Sequence, residues 1–482
     1  MEGNQIVEAI NYEKIRVNGY NLEAIKSLKI ETNINEHALL KLTGILKNEA
    51  KDSDINSTTN NKTIEIYYDE NESTTLFYGV VTNIEINVEL DVYTLNLEAK
   101  SMSYLMDIKL KSKSFQNTSM TTHGLIDTIM QEYSNSSYIL NIPDEEVKEL
   151  LIQYEETDWE FLSRIASKYN QGLFPSMDGK VIQFVMAVPE QAKALKGENI
   201  NYKIYKDLNS YKYMFENYLQ DAIEADYITY GIENYEILKL GDNIQFQGQA
   251  FYIYEGIYEI KDSMLINTYK LRMKNGLRQE RTYNTKVIGS SIDGKIIQVQ
   301  SDLVKVHLEI DEVQDTGTAY WFKFSTMSAS SDGSGWYCMP EIGDSVLVYF
   351  PTKDEDEAFA VSAVSGYKQG AGEAEDRMGN PDDKYLRTAH DKQVKLTPNG
   401  IFISCDSGQA DMSLTSDGTL SITSQNNINI NAQQNIKIQA QKSFMVSAKQ
   451  GVNFACDKGG GLEFDSSGEI KEKGTQVNVN AE

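Results

Sequence analysis

From residue 412 the chain repeats itself every eight residues. Apolar pairs recur at Met412/Leu414, Leu420/Ile422, Ile428/Ile430, Ile436/Ile438, Phe444/Val446 and Val452/Phe454, each displaced by eight from the one before. A third position keeps step and holds only small residues: Ser416, Ser424, Ala432, Ala440, Ala448 and Cys456. A repeat in register constrains the fold more than local propensity does. The alternation within each pair has the period of a strand, and an octad leaves room for about five residues of strand and three of turn.

Two inward-facing residues per octad are too few to close a core in one chain, because a single-chain β-solenoid spends roughly twenty residues on each coil. Three chains close it together. Each supplies one face of a triangular coil and passes to the next face at a corner, where the small position fits. The apolar pairs then point to the shared axis, and each strand edge is covered by a neighbouring chain. With strands about 4.8 Å apart, six octads stack to roughly 30 Å of stiff prism. Outward Asn, Gln, Ser and Thr form hydrogen-bonded ladders along it. The alternative for the same stretch is an ordinary antiparallel meander.

The 482 residues leave room for three or four domains of about 100–200 residues each. Residues 1–113 read as a β-domain, with period-two patterning at Ile84, Ile86, Val88 and Leu90 and a polar loop over 48–62. Residues 114–190 read as an α/β insert. Its first helix carries Leu125, Ile126, Ile129, Met130 and Tyr133 on one stripe. Its second carries Phe161, Leu162, Ile165, Ala166 and Tyr169, opens on Thr157 and Glu160 as a capping box, and has Gly172 placed to end it. Residues 191–282 read as a second β-domain. About five short strands over 285–366 fit an OB-fold barrel, with Asp293-Gly294 read as a turn and with Val304, Val306, Leu308, Val346, Val348 and Phe350 alternating. Residues 367–411 read as a Gly- and acid-rich linker and lead-in to the β-helix, and 412–482 as the β-helix and the end beyond it.

A formal net charge of −26 argues against nucleic acid as a partner, since its backbone is bound by clustered Lys and Arg. No run approaches the ~18 apolar residues of a membrane span. The start, "MEGNQIVEAINYEK", shows no secretory signal, so the protein is expected to be made in the cytoplasm and carried out by other means. Three widely spaced cysteines, Cys338, Cys405 and Cys456, fit a reducing compartment, with Cys456 packed at its small position.

Catalytic chemistry is not visible. His37, His123, His307 and His390 have no metal-ligand spacing, and there is no nucleophile elbow or phosphate loop. The acidic cluster "YEETDWE" is accounted for by the capping box, and "KDEDEAF" reads as a solvated turn at Asp354–Glu357. No catalytic, cofactor or metal residue is therefore expected.

The domain order, the stretches "QYEETDWEFLSRIASKYNQGL" (153–173) and "GWYCMPEIGDSVLVYF" (335–350), and the octads together resemble the valine-glycine repeat protein G (VgrG) family and the hub-spike proteins of contractile phage tails. The resemblance covers essentially the whole chain. The expected fold class is mainly β: two hub β-barrel domains with a small helical insert, an OB-fold neck, and a C-terminal trimeric octad-repeat β-helix. The resemblance implies a homotrimer, not an enzyme, whose barrels dock on a hexameric tail-tube protein among baseplate proteins. Its needle would carry a tip (PAAR-like) protein and meet the target cell envelope. The octads depart from the family in carrying Ile/Leu pairs instead of repeated Val-Gly. The short stretch to Glu482 leaves no expected room for an effector. Two other readings stand beside this one: a trimeric β-helical tailspike that binds or cleaves surface polysaccharide, and a carbohydrate-binding module using Trp321 or Trp336, aromatics more expected in a core.

Overall fold

The computed structural model describes residues 9–47, 58–69, 73–190, 194–196, 201–246, 248–330, 332, 334–362, 379–388, 390–406, 408–476 and 478. Residues 48–57 of the expected loop at 48–62 and 367–378 of the expected linker lie outside them. The chain divides into two compact units, Met1–Gly366 and Tyr367–Glu482.

The first unit opens with β1 (Ile15–Asn18), β2 (Leu22–Asn33), β3 (Glu36–Leu46), β4 (Thr63–Asp69), β5 (Ser73–Glu89) and β6 (Val92–Ser101), ordered β1-β4-β5-β6-β3-β2. The period-two pattern buries Leu40 and Leu42 of β3 and Leu95, Leu97 and Ala99 of β6. It does not bury the outer end of β5. There Ile84 and Ile86 are half-buried, while Val88 and Leu90 are exposed.

The insert follows: β7 (Lys111–Phe115), α1 (Thr122–Met130), β8 (Ser137–Leu140), β9 (Leu151–Glu156), α2 (Asp158–Lys168), β10 (Leu173–Pro175) and β11 (Gln183–Met186). Both helices turn their predicted stripes into one core with Phe184 and Met186. The capping box is present: Glu160 N donates to Thr157 Oγ1 at 3.1 Å and Thr157 N to Glu160 Oε2 at 2.9 Å. The end of α2 differs from expectation. Asn170 takes the left-handed turn (φ 53), which Asn tolerates. Gly172 serves a close approach instead, since a Cβ there would lie 2.4 Å from Ile34 Cγ2.

The second β-domain holds β12 (Ala194–Lys196), β13 (Tyr202–Lys206), α3 (Leu208–Asn217), β14 (Ile228–Asn234), β15 (Asn243–Phe246), β16 (Gln249–Lys261) and β17 (Met264–Arg272). Helix α3 is not among the predicted elements, although Asp207 caps it by accepting from Ser210 N at 3.1 Å. Strand β16 pairs antiparallel with β2, from Glu255↔Asn33 to Glu259↔Lys29. The two β-domains therefore run into one sheet and share one core, including Ile30, Leu40, Ile253, Tyr258 and Tyr269. The buried hydroxyls of Tyr258 and Tyr269 donate to the carbonyls of Leu238 and Glu236, which removes the cost of burying them.

Strands β18 (Ser291–Gln300), β19 (Leu303–Leu308), β20 (Trp321–Phe324), β23 (Ser345–Tyr349) and β24 (Phe359–Ser362) close a barrel in the order β18-β19-β20-β24-β23, with a short ribbon of β21 (Ser328–Ala329) and β22 (Gly335–Trp336) beside it. This is the expected five-strand barrel, with Val304, Val306, Leu308, Val346, Val348 and Phe350 inside. The turn reading of Asp293-Gly294 is corrected. Both residues lie within β18, and the chain reverses at Ser301-Asp302 (Ser301 φ 52). Gly294 is needed for space: a Cβ there would lie 2.4 Å from Val306 Cγ1 and 2.8 Å from the His307 carbonyl.

In the second unit β25 (Lys384–Arg387), β26 (Lys392–Thr397), β27 (Gly400–Cys405), β28 (Ala410–Thr415) and β29 (Leu420–Ser424) form an antiparallel meander in chain order. A three-stranded sheet of β30 (Gly451–Ala455), β31 (Gly461–Asp465) and β32 (Ile470–Lys473) follows the octads. The octads of a single chain are thus not uniform. The first two fold back on each other around Asp417-Gly418, where Gly418 has φ 86 and Asp417 Oδ1 accepts from Thr419 N at 3.0 Å. The last pair, Val452/Phe454, faces Phe464 and Leu462 across a hairpin. Between them, residues 425–450 form no strand and carry no strand pairing.

Candidate functional site

The stretch between the two sheets is the most unusual part of the chain. Its backbone bends at 425–426, 433–434, 441–442 and 449–450, once per octad and directly after the small residues Ser424, Ala432, Ala440 and Ala448. Among the described residues, no backbone hydrogen bond within the chain involves 427–450. In the single chain its amides and carbonyls are left to water, and they are free to pair with strands of another chain. Its apolar side chains also lack cover. Leu414, Leu420, Ile422, Ile428, Ile430, Ile436, Ile438, Phe444, Val446 and Phe454 are all exposed in the single chain, Ile430 at 70% and Ile438 at 67%. Met412 and Val452 are half-buried.

The meander extends the same apolar row. Cross-strand partners are Leu386↔Val394, Val394↔Ile403, Ile403↔Met412 and Met412↔Ile422, with Leu396↔Ile401, Ile401↔Leu414 and Leu414↔Leu420 alongside. Leu386, Leu396, Ile401 and Ile403 are also exposed. Such a continuous apolar row on a monomer surface marks an interaction face.

The second feature is the joint between insert and barrel in the first unit. Leu150 and Ile152 belong to the barrel core. Gln116 Nε2 donates to the Val306 carbonyl at 3.2 Å, and Tyr320 N donates to Gln116 Oε1 at 3.1 Å. Ser114 N donates to Asp311 Oδ1 at 2.8 Å. At the centre, Arg164 of α2 grips Glu156 with two hydrogen bonds (Nε–Oε1 3.0 Å, Nη2–Oε2 2.9 Å) and reaches Glu355 of the barrel with a third (Nη1–Oε1 3.0 Å). All three are buried. Burial pushes the Glu355 carboxyl up to about 7, although Arg164 pulls against it. Burial lowers the proton affinity of Arg164, but Glu355 and Glu156 outweigh it and the net direction is up.

This corrects the reading of Asp354–Glu357 as a solvated turn. Glu355 is buried, and Asp356 Oδ1 accepts from Leu150 N at 2.7 Å. The cluster "YEETDWE" likewise does more than cap a helix. Asp158 is buried and accepts from Lys111 (2.5 Å), Tyr133 (2.5 Å) and Gln153 (2.8 Å). A buried acid is invisible to a pattern of polar residues because its justification, the facing cation, is remote in sequence.

No group of three or more His, Cys, Asp or Glu residues that could hold a metal ion occurs among the described residues. The histidines lie apart. His37 bonds Ser103 and Asp107, His123 the Ile142 carbonyl, and His307 the Asp311 carbonyl, while His390 is exposed. Cys456 is exposed in the single chain, not packed. Trp336 is 49% exposed and Trp321 half-buried under Lys305, so neither is a core residue. No described helix is long and apolar enough to cross a membrane.

A mostly β chain with this two-part sheet, helical insert and closed barrel shares its fold with type VI secretion and phage-tail proteins of known structure. Residues 293–364 match the family of type VI secretion system and phage-baseplate injector OB domains. Residues 8–199 match the Alg8 N-terminal domain family. No curated protein matches the chain. Among solved structures, an E. coli component of the type VI secretion system, described as similar in structure to bacteriophage T4 tail proteins gp27 and gp5, is similar with a TM-score of 0.51 at 12% identity. That match covers 72% of this chain and 99% of the other. A chain of the Francisella PdpA–VgrG complex is similar with a TM-score of 0.52 at 11% identity, covering 85% of this chain and 88% of the other. At these identities the likeness is one of fold, and it is the fold of the VgrG and phage-tail hub resemblance read from the sequence.

Proposed function

We propose that the protein is the trimeric hub-spike of a contractile injection machine, joining a hexameric tail tube to a puncturing needle. The observation that carries this reading is the unpartnered octad stretch, bent once every eight residues with its apolar residues uncovered. A chain built this way is completed by copies of itself. Three of them supply the missing strand partners and bury the apolar pairs along a common axis, with Asn and Gln outward. The exposed apolar row of the meander lies on the same route into the trimer, so Met412, Leu414, Leu420 and Ile422 are core residues of the assembly in either arrangement.

The role is mechanical. Force from sheath contraction reaches the tip through a rigid prism whose interchain hydrogen bonds run along its whole length. The joint at Arg164, Glu156 and Glu355 ties the OB barrel to the insert below the hub, so that load passes without slack. In this reading the chain is not an enzyme. Its partners are the tube protein, baseplate proteins, a PAAR-like tip protein at the far end of the needle, and the target cell envelope. Electron microscopy of the intact particle with a tagged chain tests the assignment. Density for the tag on the particle axis below the tube is expected, and a peripheral position contradicts it.

A further inference from the structure

The hairpin β5–β6 ends in a two-residue turn, Leu90-Asp91, with φ of 47 and 63. Such left-handed pairs favour Asn-Gly or Asp-Gly, and a leucine there is strained. Leu90 is nevertheless 100% exposed, and Val88 and Val92 beside it are exposed too. The matching hairpin β16–β17 turns on Asp262-Ser263 with nearly the same angles, 48 and 64. There the residues are polar, and although Asp262 and Ser263 are exposed, the backbone at the turn is engaged: Tyr12 N donates to the Ser263 carbonyl at 3.0 Å and Leu265 N to the Ile10 carbonyl at 2.8 Å. The fold therefore makes this turn without an apolar residue, and the leucine at 90 serves something outside the fold. The tip is also strongly acidic. No Lys or Arg occurs from Thr63 to Ala99, and Glu85, Glu89 and Asp91 flank the apolar residues.

The complementary surface lies at the other end of β6. There Asp107 is held by His37 (3.2 Å) and Thr157 (2.6 Å). Immediately beyond it Ile108 and Leu110 are each 57% exposed, with the exposed Lys109 between them and the exposed Lys113 three residues on. Lys111 is engaged with Asp158 and Glu132 and is not part of this patch. From Val92 to Ser101 the strand spans about 30 Å, so tip and patch cannot meet within one molecule. The geometry points to contact between copies: the Val88/Leu90/Val92 tip of one chain docks on the Ile108/Leu110 patch of the next, with Glu89 and Asp91 against Lys109 and Lys113. A head-to-tail contact of this kind closes into a ring when its rotation closes. It rests on the trimer reading above and adds to the needle a second, hub-level interface.

Carbodiimide joins a carboxylate to an amine only at ion-pair distance, so peptide mass spectrometry of the treated full-length protein reads the contact directly. The expected product links Glu89 or Asp91 to Lys109 or Lys113, and within one chain the distance forbids it. Leu90→Asn suits the left-handed turn and preserves the fold; it should reduce this product several-fold. A trimeric mass with no such link, or a link undiminished by Leu90→Asn, overturns the docking contact and leaves the trimer standing. A monomeric mass overturns both.

Discussion

Arg164 and Glu355 stand 191 positions apart in the chain and meet at 3.0 Å, both buried, where the helical insert joins the OB barrel. Because Glu156 holds the other edge of the same guanidinium, one cation serves two carboxylates. Removing one partner of a buried pair costs about 3–5 kcal/mol, since the remaining charge has neither water nor partner. Arg164→Met leaves two buried carboxyls without their cation. It should lower the unfolding free energy of the first unit by about 3–5 kcal/mol, measured by urea denaturation, and adding Glu355→Gln should recover part of the loss.

The same carboxyl makes stability depend on pH. Burial raises Glu355 to about 7 from the ordinary 4.5, so the folded protein binds this proton more tightly than the unfolded chain does. The resulting stabilisation is full below pH 4.5 and is lost as pH rises through 7. At about 1.4 kcal/mol per tenfold change in proton affinity, the change is on the order of 3 kcal/mol. Thermal melts between pH 4.5 and 8 should show this loss in the parent protein and a flatter profile in Glu355→Gln. Identical profiles contradict the assignment.

Gly294 tests the packing of the barrel. A methyl group there meets Val306 Cγ1 and the His307 carbonyl well inside contact distance, and the carbonyl is held by its strand. Overpacking of this kind costs typically 1–3 kcal/mol. Gly294→Ala should lower the melting temperature, and an unchanged value would show that β18 and β19 separate freely.

Much of this fold is legible in the sequence, for reasons that particular residues make plain. The capping box at Thr157 and Glu160 is local, and the barrel strands alternate over short runs, so both follow from neighbours in the chain. What fails is what depends on distant partners. Asp293-Gly294 has turn chemistry but serves close packing against Val306, and Glu355 reads as solvated until Arg164 is placed beside it. The octads are ambiguous in a subtler way. A hairpin about Asp417-Gly418 pairs Met412 with Ile422 and Leu414 with Leu420, whereas an eight-residue coil sets Met412 over Leu420 and Leu414 over Ile422. Both bring the same four side chains together, so the repeat alone does not distinguish them. The turn chemistry of Asp417-Gly418 was the signal that could have.

The central claim is that three chains complete what one leaves open. Ile430 is the sharpest probe because it is exposed in the single chain, far from either hairpin, and on the axis of the proposed trimer. Ile430→Asp places three like charges in one axial layer and should prevent assembly without unfolding the first unit. Light scattering of the full-length protein at micromolar concentration decides the matter. The account predicts three times 54.4 kDa for the parent chain and a smaller mass for Ile430→Asp. A parent chain at 54.4 kDa, with its octad isoleucines stably exposed, contradicts it.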